Sequence, residues 1–336
     1  MKDTKLVAFR KAARAVDAIE RRTVSVRSAV ARAGFPYRAP TIPRSVEVPP
    51  KKGTTGADFE TAWARKPGAK FARRVIVNGP LKSIIRLTAD PEIVGVDRLA
   101  DLRRIGDDAP PLIFVANHHS HLDAPLMLTS IPLPWRNKMV VAAAADYFFG
   151  TRLTGTASAL ALGAFPIDRT TVNRRSADLA ADLVDDGWSL LIFPEGGRSP
   201  DGWGQPFKGG AAFLADKCGV AVVPVHIDGA GAIWGRGVKR PKPGATKITF
   251  GSPLRMSPDE NVRRFNERIE RGVAQLGDES LDDWWTATKK AAAGRSTNLT
   301  GPAATGWRRA WALGEHRTKG KSGQRRRQKR RWPKMD

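Results

Sequence analysis

The feature that most constrains this chain is a change of hydrophobic pattern near residue 91, where short apolar runs begin to alternate with helical stretches. Six runs read as strands: 111–116, 139–143, 163–167, 189–193, 221–227 and 246–250. Helical patterns fall between them, near 124–130, 145–157, 173–186 and 208–218. Several strands are apolar at every position, so both of their faces must be covered. The expected fold is α/β: a mixed, largely parallel sheet with helices on both faces. A further helix is expected from Ser257, where Ser257 and Glu260 have capping-box spacing. Its Val262, Phe265, Ile269, Val273 and Leu276 recur three and four residues apart, the spacing of a packed face.

Charge divides the chain into three parts. The formal total of +24 suggests a nucleic-acid binder until it is apportioned. Residues 1–74 hold 18 Lys/Arg against 6 Asp/Glu, and residues 289–336 hold 15 against 2. The middle, 75–288, holds 24 against 25 and is close to neutral. The expected organisation is therefore a basic arm (1–74), a globular domain (75–288) and a basic tail (289–336), both arms being helical or disordered. Within the first arm, 5–32 reads as a basic amphipathic helix and 35–56 as a Pro/Gly-rich linker. Pro80 is expected to open a short helix with Leu81, Ile84, Ile85 and Thr88 on one face, a second candidate for docking on a membrane. The run 325–334 has the composition of a disordered segment. A neutral core with no nucleic-acid-binding motif makes nucleic acid an unlikely partner, whereas anionic lipid or an acidic carrier protein suits the arms.

A single cysteine, Cys218, excludes an internal disulfide and any multi-cysteine zinc site, and fits a reducing cytoplasm. The charge-interrupted first thirty residues do not read as a secretory signal. No run reaches the roughly 20 apolar residues of a spanning helix. The expected location is peripheral, on the cytoplasmic face of the membrane.

Three of the five histidines lie in Asn117-His118-His119-Ser120-His121-Leu122-Asp123, directly after the strand at 111–116. That is the carboxyl end of a strand, where open α/β sheets bind ligands. His118 and Asp123 would point about 140° apart on a regular helix, so they meet only if the chain bends first. With a bend at 117–121, Asp123 can hold one ring nitrogen while the other faces a hydroxyl, a general-base arrangement. Two other readings stay open. Ser120 and Asp123 alone make a capping box, and His118, His119 and His121 could together approach a metal. A second element, Phe193-Pro194-Glu195-Gly196-Gly197-Arg198-Ser199, also ends an apolar strand. Its Arg198 can fork onto phosphate and its Glu195 can accept from a hydroxyl, or both are simply solvated in a polar turn. A third, Gly163 to Arg169, ends in Asp168-Arg169, where Arg169 is either a phosphate contact or half of a surface ion pair.

Taken in order, these elements resemble the glycerolipid acyltransferases (the 1-acylglycerol-3-phosphate acyltransferase-like superfamily). The likeness rests on Asn117, His118, Ser120 and Asp123, on Gly163 through Arg169, on Phe193 through Ser199 and on Val223-Pro224-Val225, with Phe207-Lys208-Gly209-Gly210 following the third motif. It covers about residues 91–255 and leaves the arms aside. Gly197 departs from the family, which usually has Thr there. The resemblance implies that His118 is the catalytic base and that Asp123 orients it. It implies that Arg169 and Arg198 hold an acceptor phosphate, while Glu195, Gly196 and Gly197 shape the acceptor site. It further implies an acyl thioester donor, acyl-CoA or acyl carrier protein, as co-substrate, with no metal and no cofactor. The implied acceptor is a lysophospholipid of the lysophosphatidic acid type, met at an anionic membrane surface. Glycerol 3-phosphate and a glycolipid are the alternative acceptors. Backbone amides near the 117–120 turn are the expected oxyanion donors. The absence of a Gly-x-Ser-x-Gly elbow speaks against a serine hydrolase.

Overall fold

A computed structural model describes residues 56–102, 109–167 and 174–301. The helix expected over 5–32, the linker over 35–56 except Gly56, the pair Asp168-Arg169 and the run 325–334 lie outside the described residues.

Helix α1 (Pro67–Ile76) continues through a π-turn at Val77–Leu81 into α2 (Lys82–Ala89). Pro80 therefore does not open a helix. It sits inside a longer one, where the wider turn accommodates the missing N–H. Nor do the four residues expected on one face share it: Ile85 and Thr88 are buried, while Ile84 is 48% exposed. Strand β1 (Pro91–Val94) follows, then β2 (Leu112–Ala116), α3 (Asp123–Ser130) and β3 (Met139–Ala144). The helix expected over 145–157 is broken into α4 (Ala145–Phe148) and α5 (Arg152–Leu162), because Thr151 starts the second piece with a reciprocal cap to Thr154. Strand β4 (Ala164–Ile167), α6 (Arg174–Asp185), β5 (Ser189–Ile192) and α7 (Gly210–Cys218) complete one half of the sheet and its cover. The other half is β6 (Ala221–Asp228), α8 (Ala230–Trp234) and β7 (Thr246–Phe250). Two helices close the described chain, α9 (Val262–Leu281) and α10 (Trp284–Ala292).

Helix α9 starts five residues after Ser257. The Ser257 N–H does donate to Glu260, but Arg268 also grips that carboxylate, and it is the Asn261 side chain that accepts the Arg264 N–H at 2.9 Å and starts the helix.

The strands form one seven-stranded sheet in the order β1-β7-β6-β2-β5-β3-β4. From β6 to β4 all neighbours are parallel; β7 runs antiparallel to β6, and β1 is parallel to β7. Alternation along β2 explains its wholly apolar sequence. Leu112, Phe114 and Ala116 enter one core cluster with Leu126, Met127 and Ile85, while Ile113 and Val115 enter another with Ala180, Ala212 and Phe265.

Residues 56–76 pack onto this body. Arg73 is buried and donates to the carbonyls of Ala64, Ala159 and Leu160 at 2.7–2.9 Å. Two of those carbonyls belong to the last turn of α5, where a cation is favoured and where peptide oxygens lack helical partners. Burial pulls the Arg73 pKa down to about 10, which leaves it charged at neutral pH. On the other side of the sheet, Arg98 forks onto Glu279 of α9 at 2.6 and 3.1 Å.

Candidate active site

The site grows from the carboxyl end of β2. Past Ala116 the Asn117 side chain takes over the ladder: its Nδ2 donates to the Ile227 carbonyl at 2.9 Å and its Oδ1 accepts the Ile227 N–H at 2.7 Å. One amide thereby replaces a backbone pair and frees the main chain to turn. Within that turn, Asp123 is completely buried at the start of α3. Its Oδ2 accepts from His118 Nδ1 at 2.8 Å and from the N–H groups of His119 and Ser120, each at 2.7 Å. Two amides aimed at that oxygen fix it as an acceptor, so Nδ1 carries the proton. The neutral ring then has its lone pair at Nε2. The bend thus brings His118 and Asp123 together, and the same carboxylate also caps the turn.

The loop after β5 clasps this turn from behind. Phe193 stacks on the His118 ring, 4.4 Å between centroids and 24° between planes. Ser199 donates its N–H to the His118 carbonyl at 2.9 Å. Glu195 accepts the His118 N–H at 2.8 Å on one oxygen and the Gln205 N–H at 2.8 Å on the other. Glu195 was expected to receive a substrate hydroxyl. Instead both oxygens are committed to the main chain, the residue is 3% exposed, and it does not line the cavity. Burial raises its pKa to about 7 against the opposing pull of those two amides. Gly196 has φ +69°, and a side chain there would meet the Lys208 side chain at 2.7 Å from Nζ.

A cavity of about 340 Å³ opens in front of His118. Part of its lining is apolar, with Val141 and Ala142 from β3, Leu162 from α5 and Ile167 from β4. The rest is polar, with Gly196, Gly197, Arg198 and Gln205 from the loop after β5, and Arg236 from the segment after α8. Arg198 Nη1 donates to His121 Nε2 at 2.5 Å, and its guanidinium lies 5.9 Å from the centre of the Tyr147 ring. Burial, then the nearby Arg198 and His118, lower the His121 pKa below its ordinary value. His119 does not line the cavity, and burial lowers its pKa as well. The three imidazoles therefore have separate environments, and among the described residues no group of three or more His, Cys, Asp or Glu could hold a metal ion.

The turn's amides do not serve as expected. Those of 118, 119 and 120 are spent on Glu195 and Asp123, that of 121 on the Trp234 carbonyl and that of 122 on Ser120 Oγ. The amides of residues 118–122 are thus all engaged within the protein. Of the predicted residues, the fold brings together His118, Asp123, Glu195, Gly196, Gly197 and Arg198; Arg169 lies outside the described residues. Sequence reasoning missed Tyr147, Gln205 and Arg236, and weighed His121 only as a metal ligand. Tyr147 follows the carboxyl end of β3 closely, so the strand-end rule could have found it. Arg236 belongs to no motif.

The sequence model of the family described as Acyltransferase matches residues 94–228. A chloroplastic 1-acyl-sn-glycerol-3-phosphate acyltransferase of Brassica napus is 34% identical over 134 residues, 39% of this chain and 37% of the relative. A lyso-ornithine lipid O-acyltransferase of Pseudomonas aeruginosa is 33% identical over 126 residues, 37% of this chain and 46% of the relative. The chain thus spans between a third and a half of the length of these curated relatives. The crystal structure of the 1-acyl-sn-glycerophosphate (LPA) acyltransferase PlsC from Thermotoga maritima is similar over 65% of this chain and 86% of its own, at 25% identity and a TM-score of 0.47. The matched residues 94–228 carry the His118–Asp123 turn and its clasp, so the likeness to acyltransferases falls on the part of the chain that holds the candidate site.

Proposed function

We propose that this protein transfers a fatty acyl group from a thioester to the hydroxyl of a lysophosphatidic-acid-type acceptor, forming phosphatidic acid. The observation that carries the reading is the His118–Asp123 contact at the mouth of a half-apolar cavity. In the reaction, His118 Nε2 takes the proton of the acceptor hydroxyl as its oxygen attacks the thioester carbonyl. The tetrahedral intermediate collapses, the C–S bond breaks, and the imidazolium returns the proton to the departing sulfur. Ester and free thiol leave, and the ring is neutral again. Asp123 stabilises the transient imidazolium and keeps Nε2 pointed at the hydroxyl. Proton transfer of this kind contributes ~10²–10⁴-fold, and holding the two substrates together supplies much of the remainder. Acyl-CoA or acyl carrier protein is the co-substrate, and no step calls on a metal or cofactor. Glu195 acts through the main chain of His118, as a positioning residue.

Arg198 and Arg236 supply positive charge where the acceptor phosphate would lie, with Arg169 as a further candidate. Two guanidinium groups favour a phosphate over the cationic head of an ornithine lipid. The apolar lining from β3, α5 and β4 suits an acyl chain. Phe71, Val75, Ile84 and Leu87 stand exposed along α1 and α2 among Lys70, Arg74, Lys82 and Arg86, an arrangement that docks on anionic lipid. Among the described residues no helix is long and apolar enough to cross a membrane. The proposed location is the cytoplasmic face of the membrane, with the basic arms as added anchors or as a landing site for an acidic carrier. The test is labelled acyl-CoA offered with lysophospholipids, glycerol 3-phosphate and glycolipids, with products read by mass. Labelled phosphatidic acid is expected; a panel without it, or one in which a glycolipid alone is acylated, overturns the assignment.

A further inference from the structure

The mechanism above uses one histidine of the turn and leaves His121 without a task. Its ring is nevertheless closely engaged. Nε2 meets Arg198 Nη1 at 2.5 Å, the Trp234 ring lies 5.0 Å away and the Tyr147 ring 6.1 Å away, and the backbone N–H of His121 is tied to the Trp234 carbonyl at 3.2 Å. A guanidinium can only donate, so Nε2 must offer a lone pair and the ring must be neutral. We infer that His121 is a positioning residue for the acceptor site: as a neutral imidazole it accepts from Arg198 and holds that guanidinium over the cavity to receive the acceptor phosphate. The inference rests on reading Arg198 as a phosphate contact.

The geometry explains why an uncharged acceptor suits this place. The guanidinium has several N–H groups, so one can be spent on the ring while others stay directed at the cavity. A carboxylate in the same position would neutralise the charge that the phosphate needs. The surroundings also keep the ring neutral. Arg198 from the loop after β5 and His118 from its own turn press the pKa down, and Asp123 opposes them; burial is the largest influence and also lowers it. The Tyr147 phenol from α4 and Arg236 after α8 line the same cavity. Protonating Nε2 removes the lone pair and sets two cations face to face, so Arg198 must leave its post. The acceptor site therefore weakens as pH falls through the lowered His121 range, apart from any effect of acid on His118.

The test uses the full chain with oleoyl-CoA and 1-oleoyl lysophosphatidic acid in mixed micelles, comparing wild type, His121→Phe, His121→Gln and Arg198→Ala. Phe keeps the aromatic packing and removes the acceptor; Gln can place an oxygen near the former Nε2. His121→Phe is expected to raise the acceptor KM about tenfold, the scale of a lost charge-assisted hydrogen bond, with donor KM and kcat within about twofold. His121→Gln is expected to restore the acceptor KM and to abolish its rise in acid. If His121→Phe leaves the acceptor KM unchanged while Arg198→Ala raises it, the role of His121 is wrong and the phosphate reading stands. If Arg198→Ala itself spares the acceptor KM, the phosphate reading falls, and the His121 assignment with it. If Gln does not restore what Phe loses, a hydrogen-bond acceptor at this point is not what holds Arg198, and the inference is overturned. Thermal melts check each fold. Should His121→Phe melt below the assay temperature, the acid limb in His121→Gln decides: its persistence refutes the inference.

Discussion

The backbone N–H of His118 ends on Glu195 Oε1 at 2.8 Å, so the proposed base is held by two carboxylates, one on its ring and one on its main chain. Glu195 reaches back from the loop after a different strand, which fixes the height of the turn above the sheet. It does so from a buried position that raises its pKa to about 7.

That shift makes Glu195 a source of pH-dependent stability. An acid with a folded pKa above its unfolded value favours the fold fully below the unfolded pKa of about 4.5 and loses that favour as pH rises through about 7. The span corresponds to roughly 3 kcal/mol. Glu195→Gln cannot ionise, so its melting temperature should lack the decline between pH 4.5 and 7 that Glu195 gives the wild type. Melts recorded across that range check it; parallel curves for the two proteins would refute the shift.

Asp123 Oδ2 gathers three donors. Replacing Asp123 by Asn keeps the size but removes the charge that supports an imidazolium. We expect kcat to fall by ~10²–10⁴-fold with both KM values nearly constant, and His118→Ala to lose at least as much. Steady-state kinetics with a circular dichroism control decide this. Full turnover by His118→Ala would end the general-base assignment.

Arg73 satisfies three carbonyls from a buried position. Arg73→Met would leave them without a donor and is expected to destabilise the protein by about 3 kcal/mol. Activity per folded molecule should be unchanged, since Arg73 is far from the chemistry in role. Urea unfolding measures the first and an active-fraction assay the second.

Ala142 lines the cavity on β3. Ala142→Phe fills part of the 340 Å³ and should move donor preference toward shorter acyl chains, with the acceptor KM unaffected. Competition between octanoyl-CoA and oleoyl-CoA reads the change. An unaltered ratio would take the acyl chain out of this lining.

Sequence legibility followed the length and strength of each local signal. The six runs rich in apolar residues became β2 to β7, because a strand covered on both faces cannot disguise its composition. Strand β1, Pro91–Val94, was missed: it is four residues long, begins with proline and carries Glu92 and Ile93 outward. Pro80 misled because a proline inside a helix is tolerated only through a wider turn, which leaves no trace in periodicity. In the site, His118, Asp123 and Arg198 were readable from spacing at strand ends. Glu195 was identified by position but not by partner, since nothing in a linear pattern says that a carboxylate will face two amides. Arg236 came from the fold alone, carried to the cavity by a segment with no chemical signature of its own.

The Trp234 carbonyl takes two hydrogen bonds from the turn, from Ser120 Oγ at 3.0 Å and from the His121 N–H at 3.2 Å, and two residues later the same segment delivers Arg236. In the proposed reaction, headgroup capture and proton abstraction would thus share one hinge point. We expect whatever steadies Arg236 to steady His118, and thermodynamic reciprocity then requires the converse. Ser120→Ala, which alters no atom in reach of substrate, should therefore loosen acceptor binding, and a bound anion should in turn raise the melting temperature of the wild type more than that of the variant.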